Sequence, residues 1–378
     1  MSAVEVQGSC SDRFEPVRAA LRDELSSGDE LGASIVIDVD GETLVDIWGG
    51  FCDLERTVPW ARDTITNVWS STKTVTNLAA LMLADRGLLD VHAPIARYWP
   101  DYGANGKQDI QVRQLLGHTS GVSGWDAPFA TEDMYDWEKS TSRLAGQAPW
   151  WEPGTASGYH AQNQGHMVGE IVRRITGKPL KQFVADEIAG PLGADFQIGA
   201  LEKDWGRIAD VVPPPPLSFD MSSVDLQGPA FKTLTGPVPD AAAANTPAWR
   251  LADMGAINGH GNARSVARIL SAVTLGGTVD GVRLLGQEAI DLIFDEQANG
   301  VDVVLGVPLR FGIGYGLPNE TVPYLPDERI CFWGGWGGSL IVMDLGRRMT
   351  VSYMMNNMGS GVIGSSRSET YLRAIYGS

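Results

Sequence analysis

Strand-like runs lie at both ends of this chain and helical runs fill its middle, which leaves few folds open. Residues 32–40 and 42–51 read as two strands joined at Asp40-Gly41, a tight hairpin signal. An amphipathic helix over 14–25 precedes them, with Phe14, Val17, Leu21 and Leu25 on one face. Towards the other end, 311–317, 329–333, 339–344 and 349–355 are β-like. A turn at Leu345-Gly346-Arg347-Arg348 joins the last two, and a closing helix spans 366–376. The pattern predicts an α+β fold in which one antiparallel sheet is assembled from both termini and flanked by helices. A mainly helical middle, including helices over 166–176 and 179–188, would be inserted between the two halves. The expected division is 1–75 with 255–378, and 76–254. Within the latter, 201–247 is the least regular stretch and holds Pro213-Pro214-Pro215-Pro216, which favours stiff extended backbone. A cleft is expected where the two parts meet.

With 378 residues and a formal net charge of -17, the chain is large for one domain and strongly acidic. That balance disfavours nucleic acid or an anionic membrane as a partner. Cys10, Cys52 and Cys331 are odd in number and lack C-x-x-C spacing, which fits a reducing compartment. Residues 1–14 lack a basic stretch followed by an apolar run, so no signal peptide is read there. No apolar stretch approaches the roughly 18–20 residues that span a bilayer. A cytoplasmic, enzyme-sized protein is the expectation, with oligomeric state left open.

Ser70-Ser71-Thr72-Lys73 opens a helix over 74–86, where Val75, Leu78, Ala79 and Met82 make an apolar stripe and Gly87 supplies a stop. Residues three apart on a helix share a face. A hydroxyl and an amine are thus set side by side at a helix start, whose free N–H groups favour a developing oxyanion. A serine becomes an effective nucleophile when a nearby base takes its proton. The same four residues also fit a plain N-cap serine and a solvated lysine. No G-x-S-x-G pentapeptide competes with Ser70.

Four further stretches extend the pattern. They are Leu115-Leu116-Gly117-His118-Thr119-Ser120-Gly121, Pro153-Gly154-Thr155 with Tyr159, the glycine-rich turn Asn258-Gly259-His260-Gly261 with Ala263-Arg264, and Trp333-Gly334-Gly335. Together with Ser70 and Lys73, in this order, the chain resembles the serine β-lactamase and penicillin-binding-protein superfamily. Within it, the chain looks like the family VIII carboxylesterases. The resemblance implies the β-lactamase/transpeptidase-like fold and three catalytic residues, Ser70, Lys73 and Tyr159. Ser70 would form an acyl-enzyme, and Lys73 and Tyr159 would share the proton work. Tyr159 would act as phenolate if a neighbouring ammonium favoured it. The backbone N–H groups of Ser70 and Trp336 would hold the oxyanion. Trp333, Gly334, Gly335 and His160 would line the substrate site, and the glycines at 334, 335, 337 and 338 would let substrate approach the backbone. His118 reads as structural. The four tryptophans of 125–151 read mainly as core, with some walling an acyl site. No metal or cofactor is implied.

Departures from the β-lactamase pattern bear on substrate. There is no K-T-G; Trp333 stands where its lysine would be. Ala161 stands two positions after Tyr159, where β-lactamases place asparagine. An uncharged, aromatic cleft suits neutral short-acyl esters. The rival readings are a β-lactamase or D-amino-acid peptidase, an acyltransferase on the same scaffold, and a catalytically silent binding relative.

Overall fold

The structure is a computed structural model that describes residues 5–215, 225–326 and 328–377. Its main sheet contains β1 (Gln7–Cys10), β2 (Gly32–Val39), β3 (Glu42–Gly50), β4 (Ile330–Gly334), β5 (Leu340–Asp344) and β6 (Met349–Met355). They lie in the order β1-β3-β2-β6-β5-β4, every pair antiparallel, so β2 and β6 join the two ends of the chain at the centre. Asp40 and Gly41 both take positive φ, 53° and 85°, the backbone a two-residue hairpin needs to follow the sheet's twist. β1 escapes a sequence reading because Gln-Gly-Ser-Cys has no apolar alternation and stays mostly exposed.

Five helices frame the site: α1 (Glu15–Ser27), α2 (Thr72–Asp85), α3 (Gln164–Thr176), α4 (Ala263–Thr274) and α5 (Ser366–Tyr376). Side chains alternate between the faces of a strand. Ser34 of β2 therefore faces α4, accepting from Ala263 N at 3.2 Å, while Asp38 accepts from Ser271 Oγ at 3.3 Å. On the other face Tyr353 of β6 meets Tyr371 of α5 with ring centroids 4.9 Å apart, and α5 packs on α1. The α2 helix lies between the sheet side and α3 and is buried from Thr72 to Leu83, well beyond the single stripe expected. Two of its polar side chains bond to main-chain carbonyls across the interface: Thr76 Oγ1 donates to Gly255 O at 2.6 Å and Asn77 Nδ2 to Gly314 O at 2.6 Å.

Two expectations need correction. Residues 311–317 are not a strand: Pro308–Phe311 pairs with Ala298–Val301, and beyond it only Gly316 bridges back to Phe332 of β4. Glycines at 312, 314 and 316 interrupt the run, and Gly314 sits at φ +87°. The stretch around 258–264, expected as a turn, holds a short strand, Gly259–Gly261, central in a sheet with Thr66–Asn67 and Phe196–Ile198. Within 201–247 there are short helical turns, Glu202–Arg207, Pro229–Thr235 and Ala241–Asn245. Pro213, Pro214 and Pro215 carry no regular structure, and Pro216 lies outside the described residues. Among the described residues no helix is long and apolar enough to cross a membrane. All three cysteines are free thiols.

A buried ion pair locks the two termini together. Arg367 Nη1 donates to Glu30 Oε1 at 2.8 Å, and the hydroxyls of Tyr353 and Tyr371 donate to Glu30 Oε2 at 2.5 and 3.3 Å. Burial pushes the Glu30 carboxyl up to about 7, against the pull of Arg367. Removing one partner of a buried pair leaves an uncompensated charge, so Arg367→Ala is expected to cost about 3–5 kcal/mol of stability. Urea denaturation reads this, and a midpoint unchanged from the parent would mean the pair carries little.

Candidate active site

Ser70 lies in a short 3-10 turn, Trp69–Ser71, that feeds directly into α2. Trp69, just before it, is held at φ +51°, an uncommon conformation for a bulky residue and a sign of local strain. Two elements brace this turn. Val68 N donates to Gly259 O at 2.8 Å, and Gly259 N donates to Thr72 Oγ1 at 2.8 Å. From the other side Ser339 Oγ donates to Val68 O at 3.0 Å and lies 3.2 Å from Ser71 Oγ.

Neither side chain follows the capping alternative. Ser70 makes no cap bond, and Lys73 is 1 % exposed rather than solvated. Lys73 Nζ lies 2.9 Å from Ser70 Oγ, 2.7 Å from Ala161 O and 3.0 Å from Ala256 O. No carboxylate pairs with it among the described residues, and burial drives its pKa well below the usual ammonium range. Tyr159 is equally buried, and the Lys73 amine sits 4.8 Å from the centre of its ring. The phenol oxygen accepts from Trp333 Nε1 at 2.9 Å and lies beside the Ser70 hydroxyl. Burial raises the Tyr159 pKa above the ordinary phenol range, and Ser70 and Trp333 offset only part of that. The phenolate is expected only beside an ammonium, and burial instead pushes Lys73 towards the neutral amine and Tyr159 towards the neutral phenol.

The structure brings Ser70, Lys73, Tyr159 and Trp333 together, and sets Trp336 alongside. Gly335 N, Gly337 N and Gly338 N donate within the turn and to Gly361, whereas Trp336 N–H meets no protein acceptor among the described residues. The glycines serve a different purpose from the one expected. A Cβ on Gly335 would stand 2.6 Å from Val68 O and 2.2 Å from Ser339 Oγ; one on Gly337 would stand 2.6 Å from Met358, and one on Gly338 2.6 Å from Ser365 Oγ. They let protein approach protein, pressing the end of β4 onto the turn before Ser70.

His160 does not flank the cleft. It is fully buried, with Nδ1 2.6 Å from Gly158 O and Nε2 2.6 Å from Ser120 Oγ. A carbonyl only accepts, so Nδ1 carries the proton and Nε2 accepts from Ser120, leaving no nitrogen for a ligand. Burial pushes its pKa down to about 3. His118 is structural as expected: its Nδ1 accepts from His160 N at 3.1 Å and its ring packs on Tyr159 and Phe311. Of the four tryptophans in 125–151, Trp125 stacks on Phe129 in the core. Trp69, next to Ser70 in the chain, stands in a row of indoles between Trp249 and Trp336, with neighbouring centroids 5.5 and 5.2 Å apart.

Some site residues left no mark in the sequence. The Ala161 and Ala256 carbonyls are main-chain groups, visible to no residue pattern. Ser339 opens a β-like run, and nothing in that run marks its hydroxyl as a brace for the turn before Ser70. Asp302 had no motif around it, yet it accepts from Tyr159 N at 3.0 Å.

The profile of the beta-lactamase family matches residues 17–374, almost the whole chain. The chain belongs to the beta-lactamase family. One curated member, "Esterase/beta-lactamase LipL" of Mycobacterium tuberculosis, is 32% identical over 328 residues, 84% of this chain and 76% of LipL. A solved family VIII carboxylesterase is 38% identical and covers 98% of this chain and 99% of its own, with a TM-score of 0.92. A penicillin-binding-protein homologue from Caulobacter crescentus superposes equally well, TM-score 0.92, at 32% identity over 99% of each chain. The β-lactamase/transpeptidase-like architecture expected from the sequence is therefore this protein's fold. Within this beta-lactamase family fold, Trp333 occupies the site-facing end of β4 and spends its indole N–H on Tyr159.

Proposed function

We propose that the protein is a serine carboxylesterase that hydrolyses short-acyl esters through an acyl-enzyme on Ser70. The observation that carries this reading is the buried Lys73 amine set 2.9 Å from Ser70 Oγ, with burial favouring its neutral form. A neutral amine has two N–H donors and one lone pair, and carbonyl oxygens accept only. The Ala161 and Ala256 carbonyls use both donors, so the lone pair points at Ser70 Oγ. Lys73 is then the base that takes the serine proton as Ser70 attacks the acyl carbonyl. Trp333 donates to the Tyr159 oxygen, so the phenol's own proton is free to turn to Ser70 Oγ and, after attack, to the leaving alcohol. Alkoxide leaves as alcohol, water attacks the acyl-serine, and the same groups return the proton. The Ser70 and Trp336 N–H groups hold the oxyanion, a kind of contact worth ~3–4 kcal/mol to the transition state for each donor.

The ester preference rests on the neutral lining. Trp333 gives no charge to meet a carboxylate, and the partly exposed Trp336, packed edge-on against Trp69, gives apolar surface. Ser70 is 5 % exposed, which favours short acyl groups. The name of the relative LipL supports a second reading, turnover of β-lactams at the same serine. The test is a panel of p-nitrophenyl esters of rising acyl length beside a chromogenic cephalosporin, with intact-mass detection of acylated Ser70. Fastest turnover of acetate and butyrate esters supports the proposal; cephalosporin turnover at or above those rates replaces it.

Tyr159→Phe keeps the ring but removes the proton path. Turnover is expected to fall ~10²–10⁴-fold, the usual scale for a positioned acid–base group. Steady-state kinetics on p-nitrophenyl acetate measures it, and a rate near the parent's would return Tyr159 to a packing role.

A further inference from the structure

We propose that Asp302 is a positioning residue for Tyr159, its carboxylate gripping the Tyr159 main chain from behind so that the phenol oxygen faces Ser70. The inference rests on the esterase reading above. Asp302 is fully buried between the paired strands Ala298–Val301 and Pro308–Phe311. Its Oδ1 accepts three backbone N–H groups, from Val304 at 2.9 Å, Leu305 at 2.9 Å and Tyr159 at 3.0 Å. Its Oδ2 is buried with no partner among the described residues. The first two bonds are what any aspartate capping a turn makes. The third crosses 143 residues of sequence to the residue that carries the phenol.

The hairpin around Asp302 holds Tyr159 in other ways as well. Val303 N donates to Ser157 O at 2.8 Å, fixing the chain two residues before Tyr159. The Tyr159 ring packs apart from the main core, in a small cluster with Val304, Leu309, Phe311 and Trp333. Strong acceptors that gather several N–H donors are stiff anchors, and this one fixes the Cα from which the phenol projects. Misplacing a reacting group by about 1 Å can cost on the order of 10² in rate. The Asp302 charge also adds to the upward push on the Tyr159 pKa, which keeps the phenol protonated.

The experiment is a pair of variants read in two backgrounds. Asp302→Ser keeps an oxygen near the loop but is too short to span to Tyr159 N. Its kcat on p-nitrophenyl acetate is expected to fall about 10²-fold with KM within about threefold of the parent. Asp302→Asn keeps the accepting oxygen, and its kcat should stay within about fivefold. In the Tyr159→Phe background, Asp302→Ser should change kcat by less than about threefold, because no phenol remains to be placed. Equal losses in both backgrounds, or a loss confined to KM, overturn the proposal. If Asp302→Ser lacks the parent's circular-dichroism spectrum, Asp302→Asn decides: a folded variant with a 10²-fold loss overturns it, and retained kcat supports it. Phosphonate labelling of Ser70 in the parent separates the two claims. An unlabelled parent sinks the esterase reading itself, whereas a labelled parent with an indifferent Asp302→Ser sinks only the grip.

Discussion

Ser70→Ala is expected to abolish ester hydrolysis, with kcat falling on the order of 10⁴–10⁶-fold, while the protein stays folded. The variant removes one hydroxyl that lies 2.9 Å from the Lys73 amine and is otherwise free of cap duties. The amine keeps both carbonyl acceptors, and the turn keeps its braces at Gly259 and Ser339. Far-UV circular dichroism and the melting temperature should therefore match the parent, and intact mass should show no acyl adduct. Retention of more than a few per cent of turnover in a folded variant would strip Ser70 of its role. That outcome would also remove the reason for Lys73 to be buried where it is.

Lys73→Arg and Lys73→Met should be nearly as damaging, for opposite electrical reasons. A guanidinium stays charged and has no lone pair, so it cannot take the serine proton, and among the described residues no carboxylate pairs with Lys73 to compensate it. A thioether is neutral but too weak a base. Both variants are expected to lose on the order of 10³-fold or more in kcat/KM. The parent's pH profile tests the same claim. In the proposed mechanism Lys73 works as free base, and burial lowers its pKa well below the ordinary 10.5, so activity is expected to rise with pH through that lowered value and then level. The linked effect on stability has a definite sign. The folded pKa lies below the unfolded one, so the contribution is fully present above the unfolded value, near 10.4, and is lost as pH falls through the folded value. An acid limb that survives in Lys73→Met would assign the titration to another group.

The parts of the fold that were legible are the local ones. Asp40-Gly41 announces its hairpin, and β6 and α5 fall on the residues their alternation and periodicity mark. Ser70 and Lys73 are legible together because a helix turns spacing into adjacency. Tyr159 is legible only through the Pro-Gly-Thr context that carries the family resemblance. What stayed hidden depends on groups that no residue name encodes. Ala161 and Ala256 act through main-chain oxygens, and Asp302 acts through an amide far away in sequence. Residues 311–317 misled because Phe, Ile, Tyr and Leu alternate as in a strand, while the glycines between them let the chain fold aside. The glycines after Trp333 misled in another way, since close approach to a ligand and close approach to Met358 or Ser365 ask for the same residue.

The two carbonyls on Lys73 come from segments 95 residues apart, neither in the helix that bears the amine. The proposed base is consequently a coincidence detector: its surroundings are set only when three remote pieces of chain have docked at once. A half-assembled molecule, even one rich in native helix, would hold an ordinary solvated ammonium and an inert serine. Catalysis should thus appear as the last property regained on refolding.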